Sequence, residues 1–433
     1  MGIRSARAVL AIVLASMTLA GCAPTEPPAV ADTIRVPDDA PTITDAVAEA
    51  TPGDLILVAP GVYRESVIVD VADVTIRGED RNETVIDGEG VRPYGVVGIA
   101  DGVRVENLTS HSHLYYGVLI TGVHTEDGPE ARGASGYAPF DPDDFPPLQR
   151  FGVDHVTAYN NGLYGIYAFN AQHGSITDSY ASGSADSGIY VGQCRECDTL
   201  VQGNVAERNA IGFENANASD SVVITGNRFS DNRVGMTLIS NYQEAFTPQH
   251  ANVVAGNVVA DNNSSESPAH AEGAFGVGIG VQGGQQNLFD ANVVTGHEVA
   301  GVVFSSTEDL AATDNRIERS TLEGNGVDVA NTSADRAPAS GNCAESDGPL
   351  STLPQGLDLA CADSSTSQAS GALPTVEVPP GVSFLRVDAP PAQPSLDDVS
   401  SLPDPLPDAT DMPSLDDVDV PPSDLLSDLT RAQ

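Results

Sequence analysis

The sequence predicts an all-β solenoid, a single-stranded right-handed parallel β-helix. Three observations predict it: a repeat of about two dozen residues, an Asn recurring within each unit, and short β-rich segments with no helical pattern across the repeats. Each unit reads hydrophobe, two residues, Asn, a polar stretch, then Gly and a hydrophobe, as in Ile224 to Met236. The Gly-hydrophobe steps begin at Gly165, Gly188, Gly212, Gly235, Gly278, Gly301 and Gly326, with spacings of 23, 24, 23, 43, 23 and 25. The spacing of 43 is one coil carrying an insertion, or two coils of which one is degenerate. Such a unit holds three strands of about four to five residues and three turns, with successive coils about 4.8 Å apart. Asn204, Asn227, Asn257, Asn292 and Asn315, with Ser179 before them, are read as one ladder that stitches a corner.

The elements follow in chain order. Arg4 and Arg7 precede the apolar run Ala8 to Leu14, and Leu19-Ala20-Gly21-Cys22 resembles the lipobox of bacterial lipoproteins. On that resemblance residues 1–21 are a signal peptide, Cys22 is lipidated, and 22–32 tether an extracytoplasmic, membrane-anchored protein. Thr42 to Asp45 has capping-box spacing, and Ile43, Ala46, Val47 and Ala50 are spaced for a short amphipathic helix that covers the first coil. Brief strands follow at Leu55–Val58, Val67–Val69, Val74–Ile76 and Thr84–Ile86. The solenoid is assigned to 33–335 and a C-terminal cap with a disulfide loop to 336–365. An acidic, Pro-rich tail, 366–433, lacks the hydrophobicity to fold alone and is expected to be disordered. With Cys22 set aside, Cys194, Cys197, Cys343 and Cys361 remain, and proximity in sequence favours Cys194 with Cys197 and Cys343 with Cys361.

The formal charge of −42 comes from 61 acids against 19 arginines, with no lysine. Such a surface repels nucleic acid and anionic lipid headgroups, so the lipid anchor is the one expected membrane contact. From Ala337 onward sixteen acids face two arginines, and the imperfect repeat Pro394-Ser-Leu-Asp-Asp-Val399 and Pro413-Ser-Leu-Asp-Asp-Val418 lies in that stretch.

The wording around Val36 to Tyr63 and Val74 to Gly78 resembles the N-terminal cap of the pectin-lyase-like β-helix superfamily. Ser179 to Cys194 and Asn204 to Asn209 look like repeats of its NosD-like group of secreted lipoproteins. Copper, linked to some members of that group, is not carried over, because the chain has four Met and no His-rich tract. The superfamily also contains lyases, hydrolases and epimerases of acidic polysaccharides, so fold alone does not decide activity.

Eight of eleven tyrosines lie between Tyr115 and Tyr190, which concentrates aromatic surface in under a fifth of the chain. Phased on the Gly step, one outward column is Leu119, Tyr167, Tyr190, Glu214 and Thr237. Its neighbour is Thr121, Phe169, Gly192, Ala216 and Ile239, with Asn170, Gln193 and Asn217 at the strand end. Tyr167, Phe169, Asn170, Tyr190, Gln193, Glu214 and Asn217 are therefore the candidate floor for an extended sugar chain. The other reading is aromatic rungs covered by the insertion from about Gly122 to Arg150. In that insertion Asp141, Asp143 and Asp144 offer hard oxygen ligands for Ca²⁺, or form a solvated acidic loop. Asp141-Pro142-Asp143-Asp144 resembles the Asp-Pro-His-Asp motif of β-helix alginate epimerases, departing at Asp143, and Tyr164 stands where that group has a His before Gly-Ile-Ile. His111 and His113 suit a metal pair, an acid and base, or a hydrogen-bonded turn.

The expectation is a monomeric, surface-anchored lipoprotein that binds carbohydrate or another extended envelope component. The alternative is a lyase or epimerase of acidic glycans, using insertion acids with Tyr164, Tyr167 or His173. A second alternative is a structural or assembly factor.

Overall fold

The computed structural model describes residues 31–125, 128–129, 141–346, 348–361 and 367–431. Cys22 and the signal segment lie outside the described residues, as does 130–140 of the insertion.

Three parallel sheets wrap one core. Sheet 1 has 12 strands, from Thr33–Val36 to Cys343–Ala344; sheet 2 has 10, from Gly61–Tyr63 to Thr321–Glu323; sheet 3 has 11, from Val67–Val69 to Thr352–Leu353. Each strand pairs with its equivalent one coil away, so residues at one repeat phase stack in columns. Ile166, Ile189, Phe213, Met236, Ile279, Val302 and Val329 form one inward column, all buried in the central core. No coil could bury these side chains alone, because each lies under the next coil's backbone. The first coil is covered by helix α1, Ile43–Glu49, whose Thr42 Oγ1 accepts from the Asp45 amide at 3.0 Å while Ile43, Ala46 and Val47 are buried.

The spacing of 43 is one coil with two excursions, since Val234–Ile239, Val253–Ala255 and Val258–Ala260 are followed directly by the next sheet 3 strand, Val277–Gln282. Residues 240–252 and 261–276 are the added chain.

Three ladders replace the single Asn ladder expected. Where sheet 1 turns into sheet 2, the amides of Ser179, Asn204, Asn227, Asn257 and Asn292 donate successively to Asn204, Asn227, Asn257, Asn292 and Ser320, each at 2.9 or 3.0 Å. A second ladder, Ser184, Asn209, Asn232, Asn262, His297 and Asn325, lines the turn into sheet 3. Asn315 belongs to a third, with Asn252, Asn287 and Asn342 before sheet 1. Asn315 precedes Arg316–Glu318 of sheet 1, whereas Asn292 precedes Val293–Thr295 of sheet 2. Asn one or two residues before a hydrophobe marks either corner, and the sequence pattern did not separate them.

Two boundaries change. Cys343–Ala344 and Thr352–Leu353 pair with the preceding strands of sheets 1 and 3, so coiling continues past residue 335 into the cap. The tail expected to be disordered is laid against the solenoid from Gly371, whose amide donates to Asn331 O at 2.9 Å, to Arg431. It has almost no regular structure; three single-turn 3₁₀ segments are its only elements among the described residues. Its twelve prolines supply carbonyl acceptors without N–H donors, and the surface it meets supplies donors. Arg77, Arg81, Arg104, Arg228, Arg233 and Arg319 all donate to its backbone carbonyls.

Both sequence-favoured disulfides are present, Cys194 to Cys197 and Cys343 to Cys361.

Candidate functional site

The expected outward columns are the observed ones. Leu119, Tyr167, Tyr190, Glu214 and Thr237 stack in register on the outer face of sheet 3, as do Thr121, Phe169, Gly192, Ala216 and Ile239. The rings touch: Tyr167 and Tyr190 meet edge to face at 4.8 Å between centroids, and Tyr164 lies 4.6 Å from Tyr167 and 4.7 Å from Tyr190.

The face is not an open floor. Tyr167 and Phe169 are each 3% exposed, Tyr190 2%, and Asn170, Gln193 and Asn217 are fully buried. Two segments cover them. Phe145 of the insertion packs on the aromatic cluster, and its carbonyl accepts from Asn170 Nδ2 at 2.9 Å. The turn 241–248, part of the first excursion of the long coil, covers the rest. Asn217 Nδ2 donates to the carbonyls of Asn241 and Glu244 and to Thr247 Oγ1, and Gln193 Oε1 accepts from the Ala245 amide. The strand-end amides read as sugar ligands therefore hold the covering chain. Asn170, Gln193 and Asn217 all have positive φ (53°, 48° and 45°), which turns their side chains off the sheet plane and toward that chain.

Beneath this cover, carboxylates meet tyrosine. Tyr190 Oη donates to Glu244 Oε1 at 2.7 Å, and Ser187 Oγ donates to Glu214. Burial, reinforced by Glu244, raises the Tyr190 phenol well above its ordinary value, so it stays protonated and able to donate. Glu244 came from an excursion of the long coil, and the sequence offered no signal linking it to Tyr190, 54 residues earlier.

The cluster surfaces at one corner. Where sheet 2 turns into sheet 3, Tyr115 is 42% exposed, Leu114 41% and Val91 66%, with Tyr94 and Tyr164 half-buried beside them. Backbone bonds stack these turns: Leu114 N donates to Arg92 O, and Leu163 N to Tyr115 O. Tyr115 lies 5.9 Å from Tyr116, which stacks on Tyr164 at 5.9 Å and 9°.

The other candidates are placed as follows. Asp141 caps its own turn, its carboxylate accepting from the Asp143 amide at 3.0 Å, and Asp141, Asp143 and Asp144 are exposed. Among the described residues the one grouped set of three acid or His side chains is Asp154, His155 and Asp178. Arg81 lies against it, donating to Asp178 O at 3.0 Å and interacting with both carboxylates, so a guanidinium already supplies positive charge there. His111 stacks on Tyr159 at 4.5 Å while its Nδ1 meets Ser112 Oγ at 2.8 Å in a turn. The fully buried His113 is lowered to about 3 by burial, which leaves it a neutral core residue. His173 pairs with Asp198 at 2.9 Å and lies on sheet 1, whereas Tyr167 lies on sheet 3 and Tyr164 in the turn before it.

A family model described as a right handed beta helix region matches residues 94–247. The three parallel sheets and this match make the chain a right-handed parallel β-helix. No curated protein sequence matches it. Among solved structures, the A-module of a mannuronan C-5 epimerase from Azotobacter vinelandii is 18% identical with a TM-score of 0.47, covering 71% of this chain and 91% of that one. An alginate lyase from a Paenibacillus species is 14% identical with a TM-score of 0.41, covering 68% and 97%. A mannuronic acid specific polysaccharide family 6 lyase from the human gut microbiota is 11% identical with a TM-score of 0.43, covering 72% and 79%. At these identities the likeness is one of fold and does not extend to activity.

Proposed function

We propose that the protein is a lipid-anchored, extracytoplasmic β-helix that binds an extended envelope glycan at the open end of its aromatic cluster. The observation that carries this reading is the exposed corner of Tyr115, Leu114 and Val91, continuous with Tyr94, Tyr116 and Tyr164. An aromatic ring held on a stacked turn offers a sugar ring a preformed apolar face, with little side-chain freedom to lose on binding. Anchoring at Cys22 would present the solenoid to the envelope polymer around it, and the dense negative charge would keep the protein off anionic headgroups.

The test is glycan-array binding by the chain from residue 31 onward. Tyr115→Ala should weaken binding about two- to tenfold while the melting temperature stays close to wild type, because the ring is exposed. Unchanged binding in that variant would reject the corner as the site.

A second reading, a polysaccharide-modifying enzyme, is favoured by one arrangement: Glu214 and Glu244 converging beside the protonated Tyr190. Tyr190 is the proton donor such chemistry needs, but displacement of 241–248 would have to precede it. Absorbance from unsaturated uronate products, lost in Tyr190→Phe, would establish a lyase; its absence across acidic glycans leaves the binding reading alone.

A further inference from the structure

The repeated hexapeptide of the C-terminal segment meets the solenoid twice and in one manner. In Pro394–Val399 and in Pro413–Val418 the Leu and Val are half-buried and both Asp are exposed. In each copy the Val carbonyl accepts from an arginine that is itself paired with a carboxylate. Arg77 donates to Val399 O at 3.1 Å and to Ser401 O at 2.7 Å while its Nε holds Glu106 at 2.7 Å. Arg319 donates to Val418 O at 3.2 Å while its Nε holds Asp290 at 2.8 Å. The carboxylate fixes one edge of each planar guanidinium, and the other edge is left for the peptide. Further bonds read the first copy: the Arg81 amide donates to Ser395 Oγ, Arg81 Nη1 to Pro394 O, and the Leu396 amide to Asn107 Oδ1. Val418 of the second copy sits over Gly256, whose φ is +67°; a Cβ there would come within 2.7 Å of the Val418 Cγ1.

We propose that the flank where sheet 1 turns into sheet 2 is a peptide-docking groove. It recognises Pro-Ser-Leu-Asp-Asp-Val through main-chain carbonyls and the Leu and Val side chains, and the chain fills it with its own C-terminal segment. The acids of the motif are not what is read, because all ten Asp between Asp397 and Asp428 face solvent. The occupant belongs to the same molecule. The segment stays in contact from Gly371 to Arg431, and its end returns to its own start, Gln393 Nε2 donating to Leu429 O and Arg431 to Asp388 O. The anchors are far apart: Arg77 lies on the third strand of sheet 1 and Arg319 just after the eleventh, roughly 40 Å along the stack. The two copies thus tie early coils to late ones.

The experiment uses the full chain with residues 394–399 replaced by alternating Ser and Gly, which removes the Leu396 and Val399 side chains and the Ser395 hydroxyl, so that the first anchor is open to competition by peptide. A labelled synthetic peptide of residues 390–404 should bind it saturably, at least tenfold more tightly than it binds the wild-type chain, whose groove is filled. Arg77→Gln in the same background should weaken binding about tenfold or more. Equal binding of a scrambled peptide, indifference to Arg77→Gln, or no saturation at millimolar peptide would overturn the proposal. Hydrogen exchange offers a second reading without changing the segment. Arg319→Gln should speed exchange within 413–425 and leave 394–401 unchanged, whereas uniform loosening of both would show no motif-specific docking. A wild-type dimer in sedimentation equilibrium would mean that the segment crosses to a second copy, overturning the assignment within one molecule.

Discussion

His297 occupies a rung where other coils use Asn. Its Nε2 lies 3.1 Å from Asn262 Nδ2, a donor, and its Nδ1 lies 2.8 Å from Asn325 Oδ1, an acceptor. Only the neutral ring protonated at Nδ1 satisfies both, and burial, opposed by the Asn325 bond, lowers its pKa to about 4. The unfolded chain binds this proton near pH 6.5 and the folded chain does not, so stability falls as pH drops from 6.5 to about 4 and levels off below. The contribution at stake is about 3 kcal/mol. Asp186 and Asp231, both raised to about 6 by burial, act in the opposite sense between their ordinary values and pH 6. The clean measurement is therefore a difference: His297→Asn should lose less stability than wild type between pH 7 and pH 4 in urea titrations. A loss equal to wild type would place the acid sensitivity elsewhere. At the covered face, Tyr190→Phe removes a bond to a buried carboxylate and should lower stability by about 1–3 kcal/mol. Glycan binding at Tyr115 should be untouched; a parallel loss of binding would show that the covered face and the corner act as one site.

The elements owe their stacking to polar columns as much as to apolar ones. The Asn227 side chain makes five bonds: its Oδ1 accepts from the Asn204 amide and Nδ2, and its Nδ2 donates to Val201 O, Thr225 O and Asn257 Oδ1. At this corner the chain takes positive φ in each coil from the third strand of sheet 2 onward, at Asn107, His155, Asp178, Gly203, Gly226, Gly256, Ala291 and Arg319. Non-glycine residues there carry conformational strain of about 1 kcal/mol or more, which the ladder bonds offset. Asn227→Ala should therefore cost about 2–4 kcal/mol, more than its exposed counterparts on a turn. Limited proteolysis should then cut first near residues 201–230; cleavage confined to the termini would argue against a central role for the rung. The ladder's existence was legible, because a side chain with both donor and acceptor recurs at fixed spacing. Its division among three corners was not, because Asn292 and Asn315 differ only in which sheet their following strands join. The outward columns were legible for the same reason as the core, by alternation along a strand. Their covering was not, since Phe145 and residues 241–248 reach them from loops whose path no local pattern specifies.

Over the whole molecule, like charges oppose the closure of the C-terminal segment. The stretch from Ala337 carries sixteen acids and two arginines, and the rest of the chain carries 45 acids and 17 arginines. Contact is made by guanidinium on neutral carbonyls, so salt screens the repulsion more than the attraction. Raising ionic strength from about 0.01 M to about 1 M shortens the screening length from about 30 Å to about 3 Å and should slow proteolysis within 390–425. Release of the segment by salt would show that its carboxylates, not its carbonyls, hold it.

Repeat length, the Gly-hydrophobe step and the recurrent Asn determined a parallel solenoid and its outward columns, the capping-box spacing at Thr42 its capping helix, and cysteine proximity its disulfide pairing, because each is a property of spacing along the chain. Tertiary structure alone decided that the tyrosine face is covered, that Glu244 meets Tyr190, and that a tail too polar to build a core lies along the solenoid. Those three depend on contacts between segments far apart in sequence. A proline-rich acidic chain without a hydrophobic pattern finds its place only where another part of the molecule presents arginines to its carbonyls.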